Sequence, residues 1–275
     1  MRSEPGLLER FAAAQQPHID RLRELERRHL LPPPWTRPRP SLSDALRQGG
    51  MGGGPLAVIA EYKRASPSRG VINLDLTPSE VCGQYAVAGA SALSVLTEAD
   101  HFQGDLDFLT AAEPTGLPIL RKDFLLDPLQ VVETSATPAS ALLLIVRMLP
   151  GDALQTMLDE AVEAGLEAVV EVFDQADLDR AKDAGARLIQ VNNRDLDTLA
   201  VDLATSRSLI GRRLPAEVWI TASGLTTGRD LAEMGSLGFD AALVGTHLMS
   251  DGTPGRALAR LLADAGREGR QGGRS

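Results

Sequence analysis

Short runs of apolar residues recur along most of the chain. The stretches between them have the mixed polar and apolar composition of helices and turns. Eight runs lie at 57–60, 92–96, 119–120, 141–146, 168–172, 188–191, 218–220 and 241–244. Successive runs begin about 20 to 35 residues apart, which is the size of a strand followed by a helix. Eight such units predict an α/β fold, a closed parallel (β/α)8 barrel or TIM barrel.

An open, doubly wound sheet is the alternative arrangement for strands that alternate with helices. In that fold a Gly-x-Gly-x-x-Gly loop follows the strand at which a dinucleotide binds. None of the predicted strands is followed by such a loop. The barrel is therefore the preferred prediction.

The segment before the first run has the pattern of helices that precede the barrel. Apolar residues fall near helical spacing over 7–31, which predicts an amphipathic helix with a kink or a division at Pro17. A second short helix is expected to begin at Ser41, and the glycines of 49–54 are expected to form a flexible joint. The predicted parts are an N-terminal helical extension over 1–54, a catalytic barrel over 55–268 and a disordered tail over 269–275.

Polar and small residues follow the apolar runs where the predicted strands end. Glu61 and Lys63 lie two positions apart, so an extended chain points both side chains to one face. Other polar residues at such ends are Thr97, Lys122, Arg147, Glu171, Asn192 and Arg194. Active sites of (β/α)8 barrels lie at this face, and the last two strands commonly supply a phosphate site. The turns at 223–224 and 245–246 fit that site because small residues let backbone N–H groups approach an anion.

Composition narrows the functions open to this fold. The 275 residues carry 28 basic and 37 acidic side chains, a net charge of −9, which argues against nucleic acid as a partner but allows a local pocket for one phosphate. Cys82 is the single cysteine, so neither an internal disulfide nor a cysteine-based zinc cluster can form, and a cytoplasmic location is expected. Apolar runs fall short of the roughly 18 residues of a membrane span. Neither a membrane partner nor a metal is expected.

Five motifs follow one another along the predicted barrel. They are AEYKRASPS at 60–68, SVLTE at 94–98, PILRKDF at 118–124, EV at 171–172 and VNNRDL at 191–196. In this order and spacing they resemble the indole-3-glycerol-phosphate synthase family of tryptophan biosynthesis. The resemblance implies a carboxy-lyase that needs no cofactor. Such an enzyme converts 1-(2-carboxyphenylamino)-1-deoxyribulose 5-phosphate into indole-3-glycerol phosphate, with loss of CO2 and water.

The resemblance also implies roles for the matching positions. Lys122 is expected to be the principal general acid and Glu171 the base. Lys63 would hold the substrate carboxylate or act as a second acid, with Glu61 orienting it. The other matches are the catalytic Asn192, the substrate-binding Arg194, Phe102, Phe124 and Leu143, and the phosphate-binding Ser66, Ser223, Gly224, Gly245 and Thr246. The three apolar positions also fit an ordinary core, and the implied enzyme is a monomer or weak homo-oligomer that acts on one phosphorylated small molecule.

The chain departs from the family pattern at several positions. Ala222 stands where the family normally has a glutamate, so one supporting carboxylate on the seventh strand is missing, and Asp105 replaces a usual serine. Losing one active-site hydrogen-bonding group costs about 10²-fold or more in rate in other enzymes. Two alternatives therefore stand beside the synthase. One is a divergent enzyme for a substituted aryl-amino sugar phosphate, and the other is a catalytically impaired paralogue that binds phosphorylated ligands.

Overall fold

The computed structural model of the chain describes residues 6–49, 56–196, 198–250 and 252–272. Within them, eight parallel strands close into a barrel, each paired with the next along the chain and the last with the first. They are β1 (Ala57–Tyr62), β2 (Ala92–Leu96), β3 (Ile119–Lys122), β4 (Ala141–Ile145), β5 (Glu167–Val172), β6 (Leu188–Asn192), β7 (Val218–Ala222) and β8 (Ala241–Val244). The predicted fold class is confirmed, and every predicted apolar run lies on one of these strands, except that the run at 141–146 extends one residue beyond β4.

Helices surround the barrel and connect its strands. Those within the described residues are α1 (Leu7–Arg27), α2 (Leu42–Arg47), α3 (Pro78–Ala88), α4 (Asp107–Ala112), α5 (Pro128–Ser135), α6 (Ala153–Glu163), α7 (Gln175–Asp183), α8 (Ala204–Leu209), α9 (Gly228–Leu237), α10 (Thr246–Met249) and α11 (Pro254–Gly272). A small hairpin that the sequence pattern did not predict pairs Ala65–Ser66 with Gly70–Val71 directly after β1. The loop that carries Ser66 is thereby folded back on itself.

Helix α2 closes the end of the barrel at which the strands begin. Its Leu42 and Leu46 are fully buried in one cluster with the inward-facing residues of the strands. Glu167, the first residue of β5, accepts hydrogen bonds from the backbone N–H groups of Leu42 and Ser43. Because these N–H groups have no partner inside the helix, the carboxylate stabilises the helix start. The interior is thus sealed at this end, and a cavity can open only at the opposite face.

Helix α1 differs in two details from the predicted extension. It runs over Leu7–Arg27 without a division at Pro17, and it ends before position 31. Pro17 cannot donate to the carbonyl of Ala13, but both residues are exposed, so water can hydrate that carbonyl and the helix continues. His29, with φ 56°, is left-handed and cannot continue the helix. Ser41 accepts a hydrogen bond from the backbone N–H of Asp44, which confirms the predicted start of α2.

The last helix extends further than the sequence analysis predicted. Helix α11 continues to Gly272 and so includes the first residues of the tail expected from 269 onwards. The buried Leu258, Leu261 and Ala265 anchor this helix to the barrel, and helical turns propagate from an anchored segment into the residues after it. Residues 273–275 and 50–54 of the expected joint lie outside the described residues. In the described part of the chain, none of the helices is long and apolar enough to cross a membrane.

Candidate active site

A cavity of about 610 Å³ opens at the carboxyl ends of the strands. Of the site residues assigned from the sequence, all except Leu143 line it. They are Glu61, Lys63, Ser66, Phe102, Lys122, Phe124, Glu171, Asn192, Arg194, Ser223, Gly224, Gly245 and Thr246. The closed barrel brings these positions together because parallel strands end at the same rim.

Two ion pairs lie inside the cavity. Lys63 Nζ is 2.7 Å from Glu61 Oε1, so these side chains face the same side, as their spacing predicts. Lys122 Nζ is 3.8 Å from Glu171 Oε2. Both carboxylates are almost fully buried, while the lysine side chains are 11% and 18% exposed. The cavity therefore holds two acids and two bases in a region that water reaches poorly, where electrostatic interactions are strong.

Glu61 is held ionised by its neighbours. Burial acts to raise the pKa of Glu61, but the charges of Lys63 and Lys122 and hydrogen bonds from Lys63 and Ser94 outweigh it, so the pKa lies below its ordinary value. Ser94 Oγ donates to Glu61 Oε2 at 3.3 Å. A depressed pKa means that the ion pair contributes stability above the ordinary pKa and loses it as the pH falls through the lower value.

We expect Lys63→Met to move the acid limb of the kcat/KM profile to higher pH. The substitution removes the strongest influence that lowers the pKa of Glu61, so this carboxyl group takes up a proton at a higher pH than in the wild type. The measurement is kcat/KM between about pH 4 and about pH 8 for both proteins. An unmoved acid limb would mean that the ionisation of Glu61 does not govern activity.

The residues on either side of Lys122 face away from the cavity and anchor the end of β3. Arg121 Nη2 is 3.1 Å from Asp123 Oδ2, and Thr97 Oγ1 donates to the same oxygen. Gln15 of α1 donates from Nε2 to Asp123 Oδ1 at 3.2 Å. Because alternate strand residues face opposite sides, this buried network outside the barrel orients Lys122 towards the inside.

Helix α1 supplies part of an apolar wall. Its Phe11 stacks on Phe124 with ring centroids 4.2 Å apart, and Phe102 lies 6.0 Å from Phe124. Leu7 and Leu8 line the cavity as well. Helix α1 is thus part of the cavity wall. The sequence analysis did not predict this role for Leu7, Leu8 and Phe11.

Two positions in the sequence analysis do not reach the cavity. Leu143 is only 1% exposed and belongs to the barrel core, so its assignment as a wall residue is wrong. It lies two residues before Ile145 and faces inward one layer deeper, while Ile145 itself lines the cavity. Arg147 also points elsewhere, because its guanidinium pairs with Asp174 at 2.6 Å and with Asp177 at 2.7 Å.

The turn after β7 is held open by its own backbone geometry. Ser223 and Gly224 have φ values of 68° and 85°, both left-handed. Asn193 Nδ2 donates to the carbonyl oxygens of Ala222 and Ser223 at 3.0 and 3.2 Å and so fixes the turn. A side chain at Gly224 would overlap Val201. Only glycine meets both requirements at 224, and the turn leaves backbone groups accessible at the rim.

Gly245 is required for a reason that the sequence analysis missed. Its φ of −127° is open to any residue, but a Cβ at this position would lie 2.9 Å from Cδ of Glu61 and 3.0 Å from its Cβ. The absence of a side chain at 245 therefore makes room for the Glu61 carboxylate.

Two arginines face the same part of the cavity. Arg194 Nη1 donates to the carbonyl of Leu199 at 2.8 Å, and the backbone N–H of Arg194 donates to Asn192 Oδ1 at 3.0 Å. Burial, followed by the nearby charge of Arg69, lowers the pKa of Arg194. An anion bound between the two guanidinium groups would relieve that repulsion.

Several lining residues were missed by the sequence analysis. They are Leu7, Leu8, Phe11, Arg69, Ile145, Gln190, Val201 and His247. Gln190 could have been found, because it lies two positions before Asn192 and therefore faces the same side of β6. Across the described ranges, no group of three or more histidine, cysteine, aspartate or glutamate side chains is arranged to hold a metal ion.

The fold and the cavity define an enzyme of the (β/α)8 class, with paired acids and bases beside a cationic rim. The family model described as indole-3-glycerol phosphate synthase matches residues 8–261. The chain therefore belongs to the indole-3-glycerol phosphate synthase family, the carboxy-lyases of tryptophan biosynthesis, and the resemblance seen in the motifs is confirmed.

Curated relatives agree with this family. An indole-3-glycerol phosphate synthase of Dehalococcoides mccartyi is 40% identical over 229 residues, which cover 82% of this chain and 87% of the relative. The synthase of Chlorobium luteolum is 45% identical over 198 residues, or 72% of this chain and 76% of the relative. These findings favour the synthase over the divergent and the impaired alternatives.

Solved structures of other barrels share the fold alone. Thiamine phosphate pyrophosphorylase from Pyrococcus furiosus superposes with a TM-score of 0.57 at 11% identity, over 78% of this chain and 98% of that one. For 3-hexulose-6-phosphate synthase from Salmonella typhimurium the TM-score is 0.57 at 14% identity, over 76% of this chain and 99% of that one. At such low identity they support the barrel architecture and carry no argument about the reaction.

Proposed function

We propose that this cavity converts 1-(2-carboxyphenylamino)-1-deoxyribulose 5-phosphate into indole-3-glycerol phosphate, CO2 and water. The observation that carries the proposal is the pair of Lys–Glu contacts at the rim, Lys63 with Glu61 and Lys122 with Glu171. The reaction needs a proton donor at a ketone, a base, and a second proton transfer for dehydration. Two acids and two bases within one cavity meet that need.

The charge of the cavity matches the charge of this substrate. Four cationic side chains line it against two carboxylates, although the whole chain has a net charge of −9. The cations are Lys63, Arg69, Lys122 and Arg194, and the carboxylates are Glu61 and Glu171. A substrate with a phosphate at one end and a carboxylate at the other neutralises this excess. Electrostatic attraction of that kind favours anionic ligands over neutral ones.

We assign the proton transfers to Lys122 and Glu171. Lys122 Nζ donates a proton to the ketone oxygen as the aromatic carbon forms the new bond to that carbonyl carbon. Loss of CO2 from the same aromatic carbon restores the ring electrons. Glu171 then removes a proton from the chain carbon next to the former carbonyl carbon. The hydroxyl group on the former carbonyl carbon leaves as water after an acid protonates it. The 3.8 Å separation between Lys122 Nζ and Glu171 Oε2 supports this assignment, because an acid and a base this close together can serve neighbouring atoms of one substrate.

The remaining residues bind and orient. Lys63, held by Glu61, binds the substrate carboxylate or acts as the second acid, and Asn192 and Arg194 bind the polar part of the substrate. The apolar wall of Phe102, Phe124 and Phe11 accepts the aromatic ring. The phosphate group is held by Ser66, Ser223, Gly224, Gly245 and Thr246. Helix α1 thereby covers one side of the bound ring and limits the access of water.

The test uses substrate labelled in the aromatic carboxyl group, together with an analogue that lacks the phosphate. We expect one labelled CO2 for each indole product. We also expect KM for the analogue to be higher by about 100-fold, because the cationic rim loses its partner. Product without labelled CO2 would contradict the reaction, and equal KM values would contradict the phosphate cradle.

We expect Ala222→Glu to raise kcat/KM for the unsubstituted substrate. Ala222 ends β7, faces inward and lines the cavity, so a glutamate there directs a third carboxylate into a site with an excess of cations. Ala222→Gln is the matched control, since it adds similar volume without charge. A lower kcat/KM for Ala222→Glu than for the wild type would overturn the view that a supporting acid is missing.

We also propose that the chain acts in the cytoplasm, without nucleic acid or membrane as a partner. The net charge of −9 and the single cysteine, Cys82, support this location. A monomer or weak homo-oligomer is the expected state. Sedimentation of the purified chain at several concentrations measures it.

A further inference from the structure

Gln190 is a buried polar residue of the barrel interior, in register with Glu171 on the neighbouring strand β5. It lies on β6 between Leu188 and Asn192, faces inward and is fully buried, yet it lines the cavity. Its register partner on β7 is the buried Ile220. A glutamine fully buried at such a position requires hydrogen-bond partners to offset its desolvation.

One end of the Gln190 side chain has a strong partner. Its Nε2 donates to Glu171 Oε2, the same oxygen that faces Lys122 Nζ. An ionised carboxylate only accepts hydrogen bonds, so the NH2 group must be the end that points to Glu171. The carbonyl oxygen of the amide must then point away from Glu171.

The other end of the side chain has no partner. Gln190 Oε1 is one of five buried side-chain atoms without a hydrogen bond in the described part of the chain, and the only one of those five on a residue that lines the cavity. Leaving a buried acceptor unpaired costs free energy, so such atoms require an explanation. Ala222, at the end of the neighbouring strand β7, offers no polar side chain to the site.

We propose that Gln190 is a positioning residue for Glu171 whose carbonyl oxygen binds a donor group of the substrate. The hydrogen bond to Oε2 fixes the rotation of the Glu171 carboxylate, which is otherwise free over a broad range. The inference rests on the proposed function, because it assigns a partner within that substrate.

The chemistry of the substrate identifies the partner of Gln190 Oε1. The phosphate and carboxylate groups and the ketone only accept hydrogen bonds at neutral pH, and the aromatic ring has no N–H or O–H group. The donors are the hydroxyl groups of the sugar chain and the amino N–H that joins this chain to the ring. Gln190 therefore recognises the sugar chain and amino group that join the two anionic ends of the substrate. The cationic side chains do not select this part of the molecule.

Three variants test this assignment with the full chain and the unsubstituted substrate. Gln190→Met keeps the volume but removes both hydrogen bonds, and we expect kcat to fall by about 10-fold or more while KM rises. Gln190→Glu sets two carboxylates against each other. Their repulsion makes the pair hold one proton at a higher pH than a single carboxyl group does. The protonated form can again donate to Glu171. We therefore expect the activity of Gln190→Glu, relative to the wild type, to rise as the pH is lowered from about 8 to about 6.

The control is Ile220→Met. It changes packing beside Gln190 without changing a polar group, and its kcat and KM should stay within about 2-fold of the wild-type values.

Inhibition by two probes isolates the carbonyl oxygen. The product carries hydroxyl groups on its chain, whereas indole-3-propanol phosphate lacks them. We expect Gln190→Met to weaken inhibition by the product by about 5-fold or more and to leave inhibition by the propanol analogue unchanged.

Each result has a definite meaning. Wild-type kcat and KM in Gln190→Met, a pH profile of Gln190→Glu parallel to that of the wild type, or unchanged inhibition by both probes would overturn the assignment. Equal weakening of both probes would support it with the N–H, which both probes carry, as the donor. Thermal unfolding of each variant separates these outcomes from loss of the fold, and if Gln190→Met does not fold, the pH profile of Gln190→Glu decides. Failure of the wild-type protein to turn over the substrate would instead reject the proposed function.

Discussion

Replacing Lys122 with methionine is expected to lower kcat by about 10² to 10⁴-fold without unfolding the chain. Methionine keeps the approximate length of the side chain but removes the proton and the positive charge at the carboxyl end of β3. The ketone oxygen would then develop negative charge without a donor. The neighbouring Arg121 and Asp123, which face the other side of the strand, retain their buried contacts, so the fold should persist.

Lys182→Met is the matched control for this substitution. Lys182 lies on α7, away from the cavity, and pairs with Glu217 at 3.1 Å. Its loss should lower the melting temperature, because the buried Glu217 carboxylate loses its cation, and should leave kcat and KM near the wild-type values. Comparable turnover by Lys122→Met and the wild type would show that Lys122 is not the principal acid.

Substitution at Gly245 is expected to affect catalysis as well as binding. A methyl group in Gly245→Ala has no room beside Glu61, so the carboxylate must leave its contacts with Lys63 and Ser94. We expect kcat to fall by about 10-fold or more. Gly245→Asp adds a negative charge where a phosphate is proposed to bind, so its KM should rise by about a further 10-fold.

Gly83→Ala is the control for the loss of a glycine. Gly83 lies within α3 with open space around its Cα, and alanine there should stabilise the helix by about 0.5 to 1 kcal/mol. Steady-state kinetics and thermal unfolding of the three variants distinguish the effects. Wild-type kcat in Gly245→Ala would contradict the role given to the position of Glu61, and an unchanged KM in Gly245→Asp would place the phosphate elsewhere.

The barrel could be predicted from sequence because its strands are buried on both faces. Such strands are nearly continuous apolar runs, and both the run at 92–96 and the run at 241–244 coincide with a strand of the structure. Their ends were also informative, because the first polar residues after a buried parallel strand stand at the open rim. Glu61, Lys63 and Lys122 were found in this way.

Other features depend on three-dimensional contacts that no local pattern specifies. Leu143 and Ile145 are both apolar and both face inward, and only the depth of the barrel decides which one meets the cavity. The amphipathic pattern of α1 predicts a buried face but not that Phe11 stacks on Phe124 at the rim. The orientation of the Gln190 amide follows from a carboxylate on the neighbouring strand. These details required the folded chain.

The most direct measurement of the central claim is turnover of the unsubstituted substrate by the purified wild-type protein, followed by the fluorescence of the indole product. We predict saturable formation of indole-3-glycerol phosphate, with a kcat within the range of about 1 to 10³ s⁻¹ that is typical of enzymes, or below it by the factor of about 10² to 10³ expected for the missing carboxylate at Ala222. A folded protein that binds the substrate but forms no indole product would contradict the claim that Lys122 and Glu171 make this cavity a synthase site.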